Sequence, residues 1–130
     1  MFSIDEINEM LDEAAAELPD EVFKDLNGGV SILNETKRSS VDPDGNLYTL
    51  GEYRRDQMGR YIVIYYGSVC TVHGNCSYDE MRTILKKLLS HELTHHLESL
   101  AGERGLEIED EEEMERYRLG RTRARRFRRV

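Results

Sequence analysis

One helical stretch dominates the chain and sets what the rest can build. It opens at Ser77, where Ser77 and Glu80 form an S-x-x-E capping box, and its signal runs to about Ala101. Gly102 or Gly105 is the expected stop. At 100° per residue with Met81 at zero, Ile84 falls at about 300°, Leu88 at about 340°, Leu85 at about 40° and Leu89 at about 80°. This is the core-facing stripe. His91 follows at about 280°, Glu92 at about 20° and His95 at about 320°, on the same side, while Lys86, Ser90 and Thr94 lie opposite. Polar groups on an apolar face are costly unless something satisfies them. A metal ion would do so for the two histidines.

The remainder supplies what packs on that helix. Ser3 and Glu6 make a first capping box, and Ile4, Ile7, Leu11, Ala14 and Leu18 recur at helical spacing. Pro19 stops this helix, and a short second one is expected over 20–26, ended by "NGG". Three strands are predicted, at 30–33, 47–53 and 61–67, the last (YIVIYYG) being the densest in β-formers. KRSSVDPDGN is a polar loop, RRDQMGR a hairpin connection with Gly59 at its turn, and GSVCTVHGNC a stretch whose glycines favour a loop. The fold class is therefore α+β. A small, mostly antiparallel sheet of three to four strands should pack against N-terminal helices and the long helix. A terminal helix is expected to begin near Glu109.

Length and charge divide the chain. The 130 residues suit one domain, assigned to 1–115, followed by an arginine-rich tail over 116–130 with little to bury. Every acid lies at or before Glu115, and the tail carries eight arginines, so a body of −16 bears a tail of +8 within a net charge of −8. An acidic body argues against the domain itself gripping nucleic acid. No apolar run approaches the roughly 20 residues that span a bilayer. The start, MFSIDEINEM, lacks a basic region followed by an apolar stretch, so the default expectation is cytoplasmic. Cys70 and Cys76 read as ordinary thiols in or near a loop.

The stretch HELTHH, residues 91–96, carries the chemistry. Histidines at i and i+4 lie on one helix face and can both reach one zinc ion, with His91 and His95 as the ligands. Glu92 is then placed to take a proton from a zinc-activated water as general base. Catalytic zinc usually has three protein ligands and one open position. The position six residues after His95 is Ala101, so the metzincin third histidine is missing. His96 points about 100° away from His95 and is a poor ligand that packs or orients something instead. Glu98 is too far along the axis from His91. Asp110, on a segment returning after the glycines, is the favoured third ligand, ahead of Glu109, with His73 as an outside candidate.

These features resemble the small bacterial zincin-like metallopeptidases. The resemblance runs through ELPDEVFKDLNGG, LGEYRRDQMGRYIVIYYGS and HELTHHLESLAGERGLEIED. It implies a minimal zincin fold with the H-E-x-x-H helix packed under a small sheet, and a carboxylate after the motif as third ligand. In this chain the segment between motif and carboxylate is longer.

The leading expectation is a zinc-dependent peptidase acting on a peptide or protein substrate. YIVIYYG is the strand chosen for binding extended peptide, a role that a central place in the sheet would exclude. The alternative is a non-catalytic, metal-stabilised domain whose arginine tail binds RNA or another acidic partner. A metal-dependent ribonuclease of the three-histidine type ranks low, because the third histidine is lacking.

Overall fold

A computed structural model describes residues 1–39 and 47–107. The first helix, α1 (Ile4–Ala16), starts at the expected capping box: the Glu6 N–H donates to Ser3 Oγ at 3.1 Å, and the Ser3 N–H donates to the Glu6 carboxylate at 3.0 Å. It buries Ile7, Met10, Leu11 and Ala14, a single stripe at three- and four-residue spacing. Pro19 then leads into one 3-10 turn, Asp20–Phe23, where a longer helix is expected from the sequence. Val22 and Leu26 still fold inward from it.

Five strands follow: β1 (Gly29–Leu33), β2 (Lys37–Arg38), β3 (Tyr48–Thr49), β4 (Gly51–Asp56) and β5 (Gly59–Tyr65). The main sheet has the order β1-β5-β4, and β2 and β3 form a separate antiparallel pair. The main sheet is mixed rather than mostly antiparallel. β4 runs antiparallel to β5, but β1 runs parallel to it, from Gly29 opposite Tyr61 to Leu33 opposite Tyr65. The predicted strand at 47–53 is two strands parted at Leu50. β4 then continues through Arg54, Arg55 and Asp56, residues expected in the connection. The turn is only Gln57-Met58, closed by Gly59 at φ 100°.

Two further expectations are corrected. Most of GSVCTVHGNC is helical, as α2 (Tyr66–His73). The long helix α3 (Tyr78–Glu107) starts at its expected cap, Ser77, but runs through both Gly102 and Gly105. A glycine inside a helix costs only about 1 kcal/mol relative to alanine, so neither residue enforces a stop. No returning segment therefore occurs within the described residues, and the expected helix near Glu109 and the arginine tail lie outside them.

Placing β5 in the centre explains its composition. Ile62, Val63, Ile64 and Tyr65 are all buried, as expected of a strand with a neighbour on each side and α3 on one face. The same position removes YIVIYYG as a peptide-binding edge. The core joins Ile7, Met10 and Leu11 of α1, Ile62 and Ile64 of β5, Val69 of α2, and Met81, Leu85, Leu89 and Leu93 of α3. The frame is thus α+β, with three α-helices and a small mixed sheet. No described helix is long and apolar enough to cross a membrane.

Leu89 is fully buried at the middle of the α3 row. Leu89→Ala should lower the unfolding free energy by roughly 2–4 kcal/mol in urea titration, through lost burial and the cavity left behind. Exposed Lys87→Ala should change it by less than about 0.5 kcal/mol.

Candidate functional site

The residues of HELTHH divide sharply by burial. His91 and His95 are exposed, while Glu92, Leu93 and Thr94 are buried and His96 is fully buried. The buried row of α3 is Met81, Leu85, Leu89, Glu92, Leu93 and His96. Its centre lies about 60° round from Met81, rather than close to Met81 as the predicted stripe has it. The two histidines therefore sit on the flank of the core face. Thr94, expected opposite the core, is buried too, and its hydroxyl donates to the Ser90 carbonyl at 2.9 Å.

The flank opens into a cleft of about 750 Å³ lined by Gly51, Glu52 and Tyr53 of β4 and by His91, Glu92, His95, Glu98 and Ser99 of α3. In it the Nε2 atoms of His91 and His95 approach to 3.2 Å, with the rings nearly perpendicular at 87°. Two nitrogens bound at about 2.0–2.1 Å to one tetrahedral zinc stand about 3.4 Å apart. The pair therefore fits two ligand positions on such an ion, and imidazole is a donor that zinc accepts well.

Glu92 lies deeper. Burial pushes its carboxyl up to about 7, opposed by a hydrogen bond from the Tyr53 backbone N–H and assisted by the nearby Glu52 charge. The Tyr53 amide is available because, among the described residues, β4 is an edge strand. The Tyr65 N–H donates to the Leu50 carbonyl at 2.8 Å, which fixes the antiparallel alternation. Glu52 and Arg54 then bond towards β5, and Gly51, Tyr53 and Arg55 point their backbone groups away from it. Glu52 itself stays anionic. Burial works against its charge, but Lys37 and Arg54 outweigh that, with Arg54 Nε at 3.1 Å from it.

The third-ligand candidates fare differently. Asp110 and Glu109 lie outside the described residues. Glu98 lines the cleft beside the histidines, one turn further along α3. His73 closes α2 and is not among the cleft residues. Among the described residues, no group of three His, Cys, Asp or Glu side chains comes together to hold a metal. The described part of the chain thus offers two solvent-facing imidazole nitrogens and a buried carboxyl.

Two further residues shape the site, one missed in the sequence and one expected from it. Tyr53 acts through its backbone, and nothing in LYTLGEY marks one amide as special. His96, read as a packing or orienting residue, is held at both nitrogens: Nδ1 lies 2.9 Å from Tyr53 Oη and Nε2 lies 2.7 Å from the Lys24 carbonyl oxygen. Burial holds its imidazole below the ordinary histidine value.

No protein-family model and no curated protein matches the chain. Among solved structures it is similar to a conserved hypothetical protein from Thermo thermophilus, with 29% identity and a TM-score of 0.65. That likeness covers 78% of this chain and 99% of the other. It extends the α+β frame to a second protein whose name carries no activity.

Proposed function

We propose that the chain is a zinc-dependent metallopeptidase of the minimal zincin kind. The observation that carries this reading is the arrangement in the cleft: two histidine nitrogens 3.2 Å apart, facing solvent, beside a buried carboxyl on the adjacent residue. His91 and His95 would hold the ion, with Asp110 as the proposed third ligand. Zinc, when bound, acidifies a water and polarises a carbonyl.

The chain's own residues do the rest. Glu92 takes a proton from the attacking water and later passes it to the leaving amine. A carboxyl shifted to about 7 is a stronger base than an ordinary one once ionised. The Tyr53 N–H fixes where that carboxylate points. β4 has no strand on its outer side among the described residues, and its outward groups include the Gly51 amide and carbonyl and the Tyr53 carbonyl. An extended substrate can pair with these groups and lie across the cleft, so β4 takes the edge role first expected of YIVIYYG.

The purified full chain should hold about one zinc. Glu92→Gln should keep that zinc while cutting hydrolysis of labelled casein by roughly 10²–10⁴-fold. His91→Ala or His95→Ala should lose zinc and activity together, and chelation should abolish activity that added zinc restores. A wild-type chain that folds but binds no zinc would overturn the proposal. Zinc bound without hydrolysis would favour the metal-stabilised, non-catalytic domain.

Glu92 also gives a signature in chelated protein. Its folded carboxyl titrates at about 7 against an ordinary 4.5, so between these values the native state binds more protons than the unfolded chain. Its contribution to stability is present below about pH 4.5 and is lost as pH rises through 7. Glu92→Gln removes this loss. The variant should match wild type near pH 4 and exceed it at pH 8 by on the order of 2 kcal/mol in urea unfolding. Equal differences at both pH values would show that the carboxyl is not desolvated.

A further inference from the structure

The cleft's Tyr53 is tied down twice, and the second tie runs through a histidine that cannot be a ligand. The Lys24 carbonyl can only accept, so His96 Nε2, 2.7 Å away, must carry the proton and donate. Arg60 Nη1 lies 3.0 Å from Tyr53 Oη, and a guanidinium can only donate. The Tyr53 hydroxyl therefore accepts from Arg60 and keeps its own proton for His96 Nδ1 at 2.9 Å. A protonated Nδ1 would leave the phenol oxygen between two cations, and burial together with the Arg60 charge outweighs the pull of Asp25 towards an imidazolium there. One direction of donation remains: Arg60 to Tyr53, Tyr53 to His96, His96 to Lys24. Arg60 is itself anchored, donating to Ser99 Oγ at 2.7 Å and pairing with Glu103.

The row of bonds spans β5, β4, α3 and the segment after the 3-10 turn, and it holds the tyrosine whose amide meets Glu92. We infer that His96, fixed in its Nε2–H tautomer, is a positioning residue that sets the Glu92 carboxylate through Tyr53. This deepens the peptidase reading and rests on it. It also gives the second histidine of the "HH" pair a role distinct from that of the first: His95 faces the cleft, and His96 faces the core and holds the far wall in place.

The test uses the full chain with ¹⁵N-labelled histidine, first chelated and then zinc-loaded. In chelated protein, His96 should show a protonated Nε2 with a slowly exchanging proton and an unprotonated Nδ1. Tyr53→Phe and His96→Leu should each move the residue-53 amide proton resonance, which Glu92→Gln should also move. His96→Gln keeps an acceptor and a donor at similar separation and should leave that resonance near its wild-type position. In zinc-loaded protein, His96→Leu and Tyr53→Phe should lower kcat on labelled casein about tenfold, with KM and zinc affinity unchanged, and His96→Gln should restore most of the loss. An Nδ1–H tautomer would overturn the inference. So would an unmoved residue-53 amide in Tyr53→Phe, the variant expected to fold if His96→Leu does not, or a tenfold loss of zinc affinity in His96→Leu. A wild-type chain without zinc or hydrolysis would sink the peptidase reading alone, since the tautomer and amide measurements still decide whether His96 positions Glu92.

Discussion

A helix has one face to bury, and α3 uses that face for both the core and the cleft. Met81, Leu85, Leu89 and Leu93 step along it four residues at a time, and each step advances the row by about 40°. Packing of these side chains against α1 and β5 fixes the rotation of the helix about its own axis. Once that rotation is set, so is everything in HELTHH. Glu92 and His96 travel inward with the leucines, and His91 and His95 emerge on the flank. Turning the helix far enough to bury the histidines would expose the leucines, at roughly 1.5–3 kcal/mol for each one.

The second constraint is how closely β4 approaches that helix. A side chain at Gly51 would have its first carbon 3.0 Å from Ile64 Cδ1 and 3.3 Å from Leu88 Cδ1, tighter than packed carbons normally sit. The glycine lets the edge strand lie against α3, and two residues later the outward Tyr53 amide meets Glu92. A buried carboxyl with no donor would be a heavy penalty. Here an unpaired edge N–H and a buried acid satisfy each other. Strand order therefore matters to the chemistry: a fourth strand beyond β4 would claim the amide that the carboxylate needs.

What is legible in the sequence follows from how local each cause is. Both capping boxes act within four residues, and α1 and α3 begin where Ser3 and Ser77 place them. The H-E-x-x-H spacing is equally local, and it brings His91, Glu92 and His95 to one cleft. The rotation of α3 is harder to read because its apolar side is broad. Periodicity centres the stripe close to Met81 and so turns the histidines towards the core, whereas the buried row is centred about 60° further round, which leaves Ile84 and Leu88 half-buried at its margin. Tertiary causes are not readable at all. Gly67 has the character of a loop residue, yet it lies in the first turn of α2, and its glycine serves a close passage of the chain: a first side-chain carbon there would stand 2.1 Å from Thr36 Oγ1. Likewise the direction of β1 depends on which neighbour it meets, which no periodicity within GVSIL reveals. Gly102 and Gly105 mislead in the opposite sense, because a long helix with a buried row can absorb their modest cost.

The burial order within HELTHH carries its own logic. Ligand nitrogens must face solvent to take up an ion and admit substrate, while a base gains strength from being dry. Adjacent residues on a helix differ by about 100°, which is enough to put His91 in the open and Glu92 under β4. The arrangement works against the metal-free fold above neutral pH, since an ionised Glu92 is then buried with one amide and the repulsive Glu52 for company. A cation held by the histidines, as proposed, would lie in the same cleft, and its attraction would favour the ionised carboxylate. On the proposed function, metal binding and folding would be coupled through Glu92, because whatever stabilises its anion in the native state also stabilises the native state. The property that would make Glu92 useful as a base would therefore also be a reason for the fold to favour a filled site.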